Sequence, residues 1–167
     1  MKPGNTLKIK GKISADTSGF SINLGSSLQD LALHFNPRFN ESVIVCNSKC
    51  SNVWQKEHRD NHFSFFRGCT VKPVILWFLV LIVISTPPSK SQCCFWELCV
   101  SPVCLRLCKC FLTPLPAHQF LIEMLTDKFR VKLPDGHEVC FSNRHSYRKI
   151  NYMNIMGGFK ITSFKLS

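Results

Sequence analysis

The chain has 167 residues, which at roughly 150 residues per domain predicts one compact domain and excludes a long solenoid or a multidomain enzyme. With 45% hydrophobic and 19% charged residues, it can bury a core and is not disordered by composition. Twenty-one Lys and Arg against ten Asp and Glu leave a formal charge of +11. Yet Lys8, Lys10, Lys12, Arg38, Lys72, Arg106, Lys132, Arg148 and Lys165 sample the whole length and only Arg148 and Lys149 adjoin. The excess therefore reads as dispersed solubility charge rather than a nucleic-acid surface.

The opening Met1-Lys2-Pro3-Gly4-Asn5 lacks the apolar stretch of a secretory signal, so cytosolic synthesis is expected. A period of two follows. Leu7 and Ile9 alternate with lysines; Phe20, Ile22 and Leu24 with Ser21 and Asn23; Leu31, Leu33 and Phe35 with Ala32, His34 and Asn36. Each is the pattern of a half-buried strand. The rhythm returns in Phe129, Val131 and Leu133, the turn Pro134-Asp135-Gly136, then Val139 and Phe141, a hairpin signal. It closes with Tyr152 to Ile155, a Gly157-Gly158 turn and a last strand from Phe159 to Leu166. Many short strands between turns predict an all-β sandwich or barrel.

Between these regions, 73–126 is foreign in composition. The apolar run Val74 to Ile84 is too short to span a bilayer, which takes roughly 18–20 residues, so no transmembrane segment is expected. Cys93, Cys94, Cys99, Cys104, Cys108 and Cys110 cluster without the paired spacing of a zinc site, and free thiols are the expectation in a reducing cytosol. No period persists, so a long, irregular insertion is predicted. Phe120 to Leu125 could form one or two helical turns.

Strand alternation sends His34, Asn36 and Arg38 to one face and Leu33, Phe35 and Phe39 to the other. Imidazole, amide and guanidinium in one row can read hydroxyl groups, although the same row suits a solvated strand face. Trp54, if exposed, could stack on the C–H face of a sugar; it could equally be a core residue. Glu57 and Arg59, two apart, would face the same way on a strand and orient each other. Cys46 and His34 alternate to opposite faces and Glu57 is committed to Arg59, so no catalytic residues are expected.

Taken together, His34-Phe35-Asn36-Pro37-Arg38-Phe39-Asn40, then Ile44-Val45-Cys46-Asn47-Ser48 and Trp54-x-x-Glu57-x-Arg59 resemble the carbohydrate-recognition signature of the galectins. The flanks agree: Lys2-Pro3-Gly4, Gly19-Phe20, Lys132-Leu133-Pro134-Asp135-Gly136-His137-Glu138 and Gly157-Gly158-Phe159. The resemblance covers 1–72 and 127–167. It implies a jelly-roll sandwich of two antiparallel sheets forming a single carbohydrate-recognition domain, interrupted by the insertion at 73–126.

By the same resemblance the protein is a lectin, not an enzyme, for β-galactosides of the lactose or N-acetyllactosamine type on glycoproteins or glycolipids. His34, Asn36 and Arg38 would hold the axial O4 hydroxyl of galactose, Asn47 and Glu57 its O6 hydroxyl, and Trp54 would stack on the ring. Arg38, Glu57 and Arg59 would also meet the neighbouring sugar. No metal or other cofactor is implied, and the family acts in the cytoplasm and, after non-classical secretion, outside the cell. In the family a strand ahead of Lys2-Pro3-Gly4 helps two subunits pair, so the implied homodimer would have to form without it.

Where the family has a strand after Val71-Lys72, this sequence has Pro73-Val74-Ile75-Leu76-Trp77, which keeps Ile75 and Trp77 in the inward phase and could substitute for it. The insertion looks like alternatively spliced or unspliced sequence. It leaves one alternative open, a galectin with impaired sugar binding whose Cys-rich insert serves protein or metal interaction.

Overall fold

The computed structural model describes residues 1–68 and 118–167, and within them all regular structure is strand. Alternation builds the first strand directly: in β1 (Thr6–Ile13) Leu7, Ile9 and Ile13 turn into the core while Lys8, Lys10 and Lys12 face water. By contrast, β2 (Phe20–Gly25) is buried along its whole length; in β3 (Leu31–Arg38) the alternation returns from Leu33 onward, and β4 (Val43–Cys50) is buried in all but its last residue. Two short pieces follow, β5 (Val53–Trp54) and β6 (His58–Asp60). Beyond the undescribed stretch come β7 (His118–Met124), β8 (Lys128–Lys132), β9 (Glu138–Ser142), β10 (Tyr152–Gly157) and β11 (Phe159–Leu166).

Two antiparallel sheets result. One runs β11-β1-β7-β8-β9; the other runs β10-β2-β3-β4-β5, with β6 also paired to β4. Phenylalanines join them: Phe20 of the six-stranded sheet stacks on Phe159 of the five-stranded one at 4.9 Å between ring centroids, and Phe120 and Phe65 close on the same cluster. The chain passes between sheets at Gly157, whose φ of 81° favours glycine and where a Cβ would come within 2.5 Å of the Gly19 carbonyl oxygen.

The expected hairpin forms with Phe129 opposite Phe141 and Val131 opposite Val139, and Gly136 supplies the positive φ of its turn. Two expectations change. Phe120 to Leu125 is not helical: His118–Met124 is strand β7, hydrogen-bonded between β1 and β8. Phe120, Ile122 and Met124 are wholly buried while Gln119, Leu121 and Glu123 point out, and the apolar Leu121 on the outer face had hidden this period of two. The end of the stretch read as insertion therefore belongs to the sheet. The apolar run, the cysteine cluster and the substitute strand expected at Pro73 to Trp77 lie outside the described residues, among which no helix is long and apolar enough to cross a membrane.

The second change concerns charge. Lysines dispersed in sequence are gathered by register, with Lys8 opposite Lys165 and Lys12 opposite Lys160 on the outer face of the five-stranded sheet.

Candidate functional site

The phase of β3 places Leu33 and Phe35 at zero exposure and leaves His34, Asn36 and Arg38 half-buried on the outer face of the six-stranded sheet. Each is held from behind. Asn23 Nδ2 donates to Ser21 Oγ, which turns its Oδ1 toward His34 Nδ1 at 2.5 Å. An amide oxygen only accepts, so the imidazole carries its proton on Nδ1 and presents the Nε2 lone pair outward. Burial, and secondarily the Arg38 charge, lower the His34 pKa to about 4, which keeps the ring neutral. Asn36 donates to the Phe20 carbonyl at 2.7 Å and accepts from Arg38 Nε at 2.8 Å.

Arg38 then enters a closed ring of charge. Its guanidinium donates to Glu57 at 2.9 Å and to Glu41 at 3.2 Å, and Arg59 donates to Glu57 at 2.7 Å and also to Glu41. Hydrogen bonds from Arg59 first, and from Arg38, hold both carboxyls below their ordinary range. Exposed ion pairs contribute little to stability, but four planar groups in a ring fix one another's orientation. Glu57 lies just before β6 rather than within it, yet its pairing with Arg59 is as expected.

Asn47 sits opposite His34 in the β3–β4 register and is buried. It occupies the gap on β4 between its two short partners, donating to Gln55 O at 2.8 Å. Trp54 is 49% exposed, which decides between its two readings. The β4–β5 turn, with Ser51 and Asn52 both at positive φ, delivers it to the rim. Its ring meets that of His34 at 4.8 Å and 62°, and the Lys49 ammonium lies 5.1 Å from its centroid. All seven residues singled out in the sequence thus share one face. On the opposite side of the sheet Cys46 points into the core, where burial pushes its thiol up to about 12.

The sequence did not point to four supports. Glu41 completes the charge ring from the β3–β4 loop. Arg144, after β9, donates to the Lys56 carbonyl at 2.7 Å and so holds the segment carrying Glu57. Asp60 and Asp135, each two residues ahead of a histidine, exchange partners: His137 Nε2 donates to Asp60 at 2.9 Å and His62 Nε2 to Asp135 at 2.5 Å, with the imidazoles stacked at 4.0 Å. This clasp ties β6, which carries Arg59, to the β8–β9 hairpin of the other sheet. The repeated Asp-x-His spacing was its only visible signal. Among the described residues no group of three His, Cys, Asp or Glu is disposed to hold a metal ion.

Residues 1–79 match the family model for galactoside-binding lectins. Human galectin-2 is 38% identical over 166 residues, spanning 99% of this chain and 90% of its own. Among solved structures, chicken galectin 2 superposes with a TM-score of 0.70 at 46% identity, covering 99% of this chain and 92% of its own. The chicken liver protein CG-16, a homodimeric agglutinin, superposes at 0.68 with 28% identity, covering 100% and 93%.

Proposed function

Because the chain belongs to the galectins, the galactoside-binding lectins, we propose that the outer face of its six-stranded sheet binds β-galactosides of the lactose or N-acetyllactosamine type. The observation that carries this reading is the row His34, Asn36 and Arg38 beside a half-exposed Trp54. The Nε2 lone pair of His34 accepts from the axial O4 hydroxyl of galactose, while Asn36 and Arg38 donate to its oxygen. Asn47 and Glu57 take the O6 hydroxyl, and the apolar face of the sugar lies on Trp54. Arg38, Glu57 and Arg59 reach the neighbouring glucose or N-acetylglucosamine. Binding needs only preset hydrogen-bond donors and acceptors, with no bond made or broken.

One carbohydrate-recognition domain interrupted by an insertion is part of the same reading. In its support, Gly68 N donates to Ile13 O at 3.2 Å and His118 pairs with Gly11, so the chain leaves and re-enters at one end of β1. A homodimer fits as well, since β10 and β11 each lie at one edge of their sheet and carry the exposed Met153, Met156, Ile161, Phe164 and Leu166. Action in the cytoplasm and, after non-classical export, on cell-surface glycans follows the family.

Retention of the reduced protein on immobilised lactose, with elution by free lactose, tests the reading. Elution that Trp54→Ala abolishes is the expected result. A folded protein that passes straight through would overturn it and leave the alternative, a galectin with impaired sugar binding that acts through its insert.

A further inference from the structure

Lys8, Lys10 and Lys12 face outward from β1, and the β1–β11 register sets Lys165 directly opposite Lys8 and Lys160 directly opposite Lys12. Like charges facing each other across a ladder are destabilising. No carboxylate among the described residues pairs with any of these five. Glu123, on the neighbouring β7 opposite Thr6, is engaged by Arg130 of β8, and Glu138 of β9 by Arg130 and Lys132. Strands about 4.8 Å apart, with same-face residues roughly 6.7 Å apart along each, bring neighbouring ammonium groups within a Debye length of about 8 Å, so their potentials add. Between this patch and Lys132 runs a shallow depression lined by Lys10, Gln119 and Leu121.

We infer that this outer face of the five-stranded sheet is a second binding surface, for a linear sulfated polysaccharide. The charge complementarity calls for a polyanion, and the absence of certain side chains narrows the class. No aromatic side chain lies on this face among the described residues of β1, β7 and β8, so nucleic-acid bases would have no platform to stack on. On β1, β7 and β8 Leu121 alone offers apolar surface to this face. The exposed Ile161, Phe164 and Leu166 of β11 stand opposite Gly11, Ile9 and Leu7 and so share the inward phase, which leaves this face too little apolar surface to enter a lipid bilayer. Sulfate groups need only cations and polar neighbours, and Gln119 and Ser163, both paired with Lys10, supply the latter. The surface is on the sheet opposite His34 and Trp54, so both can be occupied together.

The test uses the full chain on immobilised heparin, in saturating lactose so that the other face contributes nothing. Retention released by salt is expected. Lys8→Gln/Lys12→Gln/Lys160→Gln should bind on the order of a hundredfold more weakly at low salt, with a shallower salt dependence. Lys2→Gln/Arg148→Gln/Lys149→Gln, which removes the same charge elsewhere, should stay within about twofold. Heparin should raise the Tm of the unaltered protein in lactose, and Lys8→Gln alone should raise Tm without any ligand by relieving the facing pair. Equal losses in both triple variants, retention abolished by lactose, or no Tm shift would overturn the inference. Equal retention on single-stranded DNA or on phosphatidylserine vesicles would overturn the assignment to a sulfated polysaccharide.

Discussion

The outer faces of the two sheets use charge in opposite ways. On the six-stranded sheet Arg38 and Arg59 are each matched to both Glu41 and Glu57, and His34 is kept neutral. On the five-stranded sheet Arg130 and Lys132 are matched to Glu123 and Glu138, but across β1 and β11 two lysine pairs face each other unmatched. Paired charge has little long-range field, but it holds donors and acceptors in fixed directions, as reading a ring of uncharged hydroxyls requires. Unpaired charge fixes no geometry but projects a field, which suits a flexible polyanion. On the two readings proposed above, one sandwich would present a face selective by direction and a face selective by charge.

The largest expected effect removes the comparison altogether. Phe120 of β7 meets Phe20 of the facing sheet, Phe65 of the segment after β6 and Phe159 of its own sheet, so Phe120→Ala should cost about 3–5 kcal/mol, a large share of the roughly 5–15 kcal/mol that holds a domain together. Urea unfolding would show the loss, and lactose and heparin binding should fall in parallel. Arg38→Lys should separate the faces instead. An ammonium carries its three donors on one nitrogen and cannot span Asn36, Glu41 and Glu57 as the three nitrogens of the guanidinium do, so lactose affinity should drop by about 1.5–3 kcal/mol, roughly ten- to a hundredfold in Kd. Calorimetric titration measures this, and heparin retention in the same variant should be unchanged.

The smallest effect is that of pH. His34 accepts a hydroxyl only while neutral, and its pKa is lowered to about 4. Lactose affinity measured by Trp54 fluorescence should therefore hold from pH 7 to about 5 and fall as pH approaches 4. Folding carries the same sign: between the ordinary histidine value and about 4 the unfolded chain binds a proton that the folded one does not. The His34 contribution to stability thus rises with pH across that window. Urea midpoints for the unaltered protein and His34→Gln should converge as the window is crossed downward.

Much of the six-stranded face was legible from local pattern. A strand's period is fixed by its backbone, so the order of residues in β3 already separates Leu33 and Phe35 from His34, Asn36 and Arg38. Trp54 was not decided this way, because β5 has only two residues and carries no period of its own; the turn at Ser51 and Asn52 sets its exposure. The alternation in β7 was present but obscured by Leu121, an apolar residue on the outer side of a strand with two neighbours.

By itself, then, the sequence determined which side chains of β1, β3 and the β8–β9 hairpin turn inward and that His34, Asn36 and Arg38 share an outward row, since these follow from alternation along a single stretch; that Asn47, Trp54, Glu57 and Arg59 join them was implied by the family resemblance. Only the tertiary structure decided that Glu41 and Arg144 complete that face, that Asp60 and Asp135 exchange histidines, and that lysines more than a hundred positions apart stand side by side. Those relations depend on register between strands distant in the chain. Register is set by how the buried faces fit together, which no stretch of either strand encodes alone.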